Sequence, residues 1–215
     1  MALAKTELLT RYRKRAARYD LTANLYYLMG FREWAYRKRA VEALRLRPGD
    51  TVVEICCGTG LNLPLLRRAV GPEGRVIGVD MTDAMLEKAL KRTAGRGWRN
   101  VELTLGDAAA YRFPERVDGI LSTFALTLVP TYDRVIERGA RALRDGGRWV
   151  VADLKLPGEG PARLLLPLLL LVSRPFGVTL DLGDRHPWES LGRHLRRSGL
   201  EEHYFGYAYV AWGEK

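Results

Sequence analysis

Cysteine is nearly absent from this chain: Cys56 and Cys57, side by side, are its two. Adjacent cysteines rarely bond to each other and cannot supply a four-ligand zinc site, so neither a disulfide framework nor a four-cysteine zinc site is expected. A reduced, cytoplasmic setting is the default. Long hydrophobic runs are missing too. The longest, Leu164 to Val172, is interrupted by Pro167 and falls far short of the roughly 20 apolar residues of a membrane span. The N-terminus has charges but no uninterrupted apolar core, so no signal peptide is expected. At most the protein lies peripherally on the inner face of the membrane. Glutamine does not occur at all, a bias that genome composition or a warm environment can produce. There is no internal repeat and no sign of a second domain.

What is present is arginine-rich charge, unevenly spread. Of the formal +10, residues 1–47 carry +8, from twelve Lys/Arg against four Asp/Glu. Such an arm could meet anionic lipid, nucleic acid or an acidic partner, or be a solvated face. A hydrophobic fraction of 47% and a charged fraction of 28% suit one globular domain of 215 residues.

The pattern divides that domain into four parts. Residues 1–47 form a basic helical cap, with helices over 3–19 and 24–46 broken near Gly30; Leu25, Leu28, Trp34 and Val41 supply its apolar contacts, and Arg37-Lys38-Arg39 is a charge run. Pro48-Gly49-Asp50 ends it. Residues 48–153 alternate strands (51–54, 75–80, 101–105, 117–123, 148–153) with helices (61–68, 83–92, 133–143), and Thr82 stands where an N-cap belongs. Residues 154–187, with five prolines around a leucine-rich core, read as an inserted lid. Residues 188–215 close the chain with a helix ended by Gly199 and a hairpin turning at Gly206. The expectation is an α/β fold: a doubly wound, mostly parallel seven-stranded sheet of Rossmann-like type, with an antiparallel final strand.

The organising stretch is Glu54-Ile55-Cys56-Cys57-Gly58-Thr59-Gly60, where an acidic residue and a glycine turn follow a strand and open a helix. In α/β sheets this junction builds a ligand site. The dinucleotide fingerprint needs Gly or Ala at the sixth position from Gly58, and Leu63 stands there. A carboxylate before the turn points to a ligand with hydroxyls or positive charge instead of one dominated by phosphate. S-adenosylmethionine is such a ligand. Asp80, closing the second strand, can accept from two vicinal ribose hydroxyls.

Taken together, Glu54-x-Cys56-x-Gly58-Thr59-Gly60, Asp80, Gly106-Asp107-Ala108 and Leu143-Arg144-Asp145-Gly146-Gly147-Arg148 resemble the class I S-adenosylmethionine-dependent methyltransferases over residues 50–155. The resemblance implies that Glu54, Cys56, Gly58, Thr59 and Gly60 face the methionine part of the cofactor. Asp80 would bind the ribose, Met81 flank the adenine, Asp107 accept from the adenine amine, Ala108 give a backbone contact and Thr123 line the pocket. The family usually has glycine where Cys56 stands.

For the methyl acceptor, Tyr19-Asp20-Leu21 with the Trp34 and Arg37 region resembles the ubiquinone/menaquinone-biosynthesis methyltransferases and bacterial phosphatidylethanolamine N-methyltransferases. Thr22-Ala23 and Ala125-Leu126-Thr127-Leu128 depart from the quinone enzymes' signatures. A lipid-like or amphipathic acceptor is the preferred reading, with the basic arm touching anionic membrane. A soluble small molecule is the alternative. A nucleic-acid substrate is disfavoured, because Ser122-Thr123-Phe124-Ala125 replaces the Asn/Asp-Pro-Pro-aromatic motif of base-modifying enzymes. The non-enzyme alternative is a membrane- or partner-binding module on the same fold. His186, beside Asp184, Arg185 and Trp188, is the candidate general base, and Tyr19 a candidate cover over the active site.

Overall fold

The structure, a computed structural model, describes residues 5–16, 30–157, 167 and 180–215. Seven strands, β1 (Thr51–Ile55), β2 (Arg75–Asp80), β3 (Val101–Leu105), β4 (Val117–Thr123), β5 (Leu143–Leu154), β6 (Arg197–His203) and β7 (Ala208–Glu214), form one sheet in the order β3-β2-β1-β4-β5-β7-β6. β1 to β5 pair in parallel, and β7 lies antiparallel between β5 and β6. Six helices accompany it among the described residues: α1 (Lys5–Arg15), α2 (Glu33–Ala43), α3 (Leu63–Val70), α4 (Asp83–Ala94), α5 (Tyr132–Ala142) and α6 (Pro187–His194).

Both faces of the central strands are covered, which is why β1, β2 and β4 are largely apolar runs, whereas the edge strands β3 and β6 are mostly exposed. Val53, Ile77, Ile120, Trp149 and Val151 pack with Val135 and Ile136 of α5 and Leu191 of α6. Val52, Val76, Leu121 and Val150, one residue out of phase, pack with Ala40 of α2, Leu63 and Leu66 of α3 and Ala89 of α4. Each helix has local reasons to form where it does. In α3, Pro64 occupies the first turn, Gly71 follows the last residue with φ 69°, and Leu63, Leu66 and Val70 line the buried side. In α5, Gly139 makes room for Trp149, since a Cβ there would lie 1.9 Å from the indole Cζ3.

The doubly wound fold and its antiparallel strand agree with the sequence-based expectation, and four details correct it. β5 begins at Leu143, which pairs with Val117 before a register shift; Gly146, at φ 74°, turns the chain between that pairing and Arg148. The helix expected to end at Gly199 ends at His194, and Gly199 lies inside β6, where a Cβ would sit 2.6 Å from Trp212 Nε1. Thr82 has the extended backbone of an N-cap, but its side chain makes no capping bond. Trp34, expected to pack, is exposed. Residues 17–29, with Tyr19, and nearly all of the expected lid lie outside the described residues.

Candidate functional site

Counted along the sheet, the order of parallel strands reverses between β1 and β4, and a cleft opens there at their carboxyl ends, as the topology of open α/β sheets dictates. Its walls come from the glycine turn after β1, the ends of β2 and β4, the segment 124–131, and Leu9 and Tyr12 of α1. α1 is held over α4 by Arg13, whose Nε and Nη2 donate to Asp83 at 2.7 and 3.0 Å.

The turn is built from three left-handed residues in five: Cys56 (φ 58°), Gly58 (φ 56°) and Gly60 (φ 75°). Gly58 borders the cleft, and a Cβ there would meet nothing within 4 Å, so the turn leaves open space for a ligand to approach the backbone. Gly60 serves packing: a Cβ would come within 2.5 Å of Leu63 and 3.1 Å of Ala89.

Asp80 at the end of β2 is buried yet borders the cleft. The Gly58 N–H donates to its Oδ2 and the Thr82 N–H to its Oδ1, both at 2.8 Å. These bonds fix the carboxylate and leave lone pairs on each oxygen for further donors. Burial raises its pKa, and the backbone donors oppose the rise. Asp107 accepts from the Ala109 N–H at 2.9 Å and also borders the cleft.

A polar network that sequence patterns do not show joins this wall: its Arg37 and Thr123 border the cleft, and Asn62 and Glu54 lie behind them. Asn62, fully buried, donates from Nδ2 to Glu54 Oε1 (2.6 Å) and to Thr123 Oγ1 (2.8 Å). Arg37 of α2 reaches Thr123 Oγ1 from Nη1 at 2.5 Å, while its Nε and Nη2 donate to Glu33 Oε1 at 2.8 and 2.6 Å. Its guanidinium also lies 5.1 Å from the centre of the Phe124 ring. The other oxygen of Glu54, Oε2, is buried without a protein partner among the described residues. Burial pushes the Glu54 pKa up to about 7 against the Asn62 bond and the Arg37 charge. Asp153, at the end of β5, is pushed up to about 6 by burial, opposed by the N–H groups of Thr127 and Leu154. Burial, with the nearby carboxylates, also drives both cysteine thiols well upward. Cys56 therefore stays a thiol, not a nucleophile.

Of the residues singled out in the sequence, Cys56, Gly58, Thr59, Asp80, Met81, Asp107 and Thr123 meet at this cleft. Glu54 and Gly60 stand behind it, and Ala108 lies in the core beside α5, its carbonyl accepting from Arg138. His186 is elsewhere, at the start of α6. Its Nε2 faces the Gly183 carbonyl at 2.7 Å and its Nδ1 faces Glu189 at 3.0 Å, so both ring nitrogens are engaged locally. Asn62 and Tyr12 were not anticipated. Asn62 carried one signal, a polar residue between Leu61 and Leu63 at the start of a helix that it does not cap. Among the described residues no helix is long and apolar enough to cross a membrane.

The donor set suits S-adenosylmethionine. A fixed carboxylate at the rim matches a ribose, the open Gly58 backbone admits the methionine chain, and an orphaned carboxylate oxygen on Glu54 lies beneath the turn.

Residues 52–147 match the methyltransferase domain family. A demethylmenaquinone methyltransferase of Desulfitobacterium hafniense is 33% identical over 144 residues, 66% of this chain and 56% of that protein. The chain thus spans about half the length of the curated relatives it matches. Among solved structures, a SAM-dependent methyltransferase from Aquifex aeolicus superposes with a TM-score of 0.58 at 20% identity, covering 82% of this chain and 88% of that one. A phosphoethanolamine N-methyltransferase of Haemonchus contortus gives 0.61 at 18% identity, over 78% of this chain and 38% of that one. At these identities the structural likenesses speak to the fold. Strand order, cleft and sequence likeness agree: residues 52–147 form a methyltransferase domain on the fold of the class I S-adenosylmethionine-dependent methyltransferases.

Proposed function

We propose that the chain transfers a methyl group from S-adenosylmethionine to a small acceptor with an apolar body. The observation that carries the cofactor half is Asp80, held by the Gly58 and Thr82 N–H groups at the rim of a cleft on the switch point of the sheet. The acceptor half rests on the rest of the wall, where Leu9, Phe124, Leu128, Val129 and Pro130 present apolar surface. The demethylmenaquinone methyltransferase likeness is in keeping with an acceptor of that kind.

When bound, the cofactor supplies a methyl group on a positively charged sulfur. The chain's part is binding, orientation and exclusion of water, and positioning of this kind is worth up to about 7–11 kcal/mol. Asp80 would accept from the ribose hydroxyls, Asp107 from the adenine amine, and Glu54, once ionised, would complement the cofactor's positive charge. Leu9 and Tyr12 of α1, with segment 124–131, close the cleft from the acceptor side. Deprotonation of the acceptor is not assigned to His186, whose ring nitrogens face Gly183 and Glu189.

Calorimetry with S-adenosylmethionine and S-adenosylhomocysteine tests the first half. Saturable binding is expected, weakened about a hundredfold in Asp80→Ala as two charge-assisted hydrogen bonds are lost. Absence of binding overturns the reading. Transfer of labelled methyl to a short-tailed demethylquinone, to phosphatidylethanolamine vesicles and to free phosphoethanolamine tests the second half. Label in phosphoethanolamine alone excludes the apolar acceptor.

A further inference from the structure

We infer that the tip of the β6–β7 hairpin is a docking surface for an anionic lipid bilayer. The inference does not depend on which acceptor is methylated.

Three observations meet at this tip. Phe205 is 75% exposed, the most exposed of the large apolar side chains in the described residues. Its backbone is also unfavourable. Tyr204 (φ 48°) and Phe205 (φ 57°) occupy successive left-handed positions in the turn closed by the Gly206 N–H on the His203 carbonyl. Such positions prefer Asn and Gly, and strain of this sort persists where the surroundings impose it or a function keeps it. Among the described residues, the ring contact at Phe205 is with the neighbouring Tyr204, centroids 5.7 Å apart. The chain thus holds a strained conformation that presents an aromatic ring to solvent.

The second observation is place. Leu154 at the end of β5 pairs with Ala208 at the start of β7, so the hairpin tip stands at the end of the sheet where the cleft opens. Rings connect the two: Tyr204 to Phe31 at 5.4 Å and Phe31 to Phe124 at 5.9 Å, and Phe124 is part of the cleft wall.

The third is charge. Glu201 and Glu202 on the hairpin are neutralised by Arg39 and Lys155. Arg32, just before α2, and Lys38 within it are exposed, and the segment that carries them adjoins the hairpin through Phe31 on Tyr204 and Arg39 on Glu201. A protruding aromatic ring beside a segment that carries exposed cations is small against the roughly 1,000 Å² or more that a protein interface buries. It fits a bilayer, where the ring enters the boundary of headgroup and acyl chain while the cations stay at the lipid phosphates.

The test is co-sedimentation of the full chain with vesicles of phosphatidylcholine, with and without phosphatidylglycerol, alongside thermal unfolding. Wild type should bind the anionic vesicles and release them at high salt. Phe205→Gly should lower binding about tenfold or more, as a buried phenylalanine ring is lost, and raise the melting temperature, because glycine relieves the turn. Phe205→Trp should keep binding, and Arg32→Glu with Lys38→Glu should abolish the preference for anionic lipid. A wild type that does not sediment with anionic vesicles overturns the inference, as does undiminished binding by Phe205→Gly. A lower melting temperature in Phe205→Gly would show the ring to be a packing element, and a dimer lost in that variant without vesicle binding would show a contact between copies; both outcomes also overturn it.

Discussion

Cys56 occupies a left-handed backbone position at φ 58°, where the resembled enzymes use glycine. A non-glycine residue there costs about 1–2 kcal/mol. Its partly buried side chain recovers some of this by packing against the core. Cys56→Gly should accordingly leave stability within about 1 kcal/mol, whereas Cys56→Val, branched at Cβ, should cost about 2 kcal/mol or more, as urea unfolding can measure. Glu54 makes a sharper case. Its pKa rises on folding from an ordinary carboxylate value to about 7, so the folded state holds a proton that the unfolded chain has released. The associated stability is fully present below the unfolded pKa and is lost as pH rises through about 7. From an ordinary value of 4.5, the loss is on the order of 3 kcal/mol. Glu54→Gln should flatten the melting temperature between pH 4.5 and 7 and raise it at pH 8, while weakening cofactor binding. Glu54 and Asp80 were legible in the sequence because a strand end next to a glycine turn announces itself. Asn62 was not, since no periodicity says that an amide will turn inward to bridge two strands.

Helix α5 lies against Trp149 through the notch at Gly139. Alanine there gains about 1 kcal/mol in helix propensity, but its Cβ would stand inside the indole ring. Gly139→Ala should therefore destabilise by a net 1–3 kcal/mol, about the cost of overpacking a core, read as a lower denaturant midpoint with unchanged slope. At this scale most elements could be read in advance. β2 and β4 have the expected bounds because buried parallel strands are short apolar runs between turn residues, and the exposed edge strand β3 because Val101-Glu102-Leu103-Thr104-Leu105 alternates up to Gly106. α6 and β6 were misread at their junction. Gly199 looked like a helix terminator, yet glycine there makes room for Trp212, a residue 13 positions away and one strand over. Local sequence cannot separate those two uses.

Across the molecule, α2 is tied to the switch point by the buried chain Glu33–Arg37–Thr123–Asn62–Glu54. Arg37 looked like part of a solvated charge run with Lys38 and Arg39, and it is buried while its neighbours are exposed. Helical phase alone could not say which arginine turns inward, because a buried guanidinium depends on partners from two other elements. Arg37→Ala should cost about 3–5 kcal/mol, since it strands Glu33 in the interior; Glu33→Leu with Arg37→Met should cost less than that single change, by urea unfolding of both variants. The sheet order also bears on how the chain reaches this state. β7 follows β6 in the chain yet belongs between β5 and β6, pairing with β5 from Arg148↔Glu214 to Leu154↔Ala208. Until residues 208–214 emerge from the ribosome, β5 presents a bare backbone edge beside Trp149, Val150 and Val151, the kind of edge that recruits foreign strands. A nascent chain stalled before Ala208 is therefore exposed to aggregation through that edge, and slow decoding of codons 208–214 would lengthen the interval.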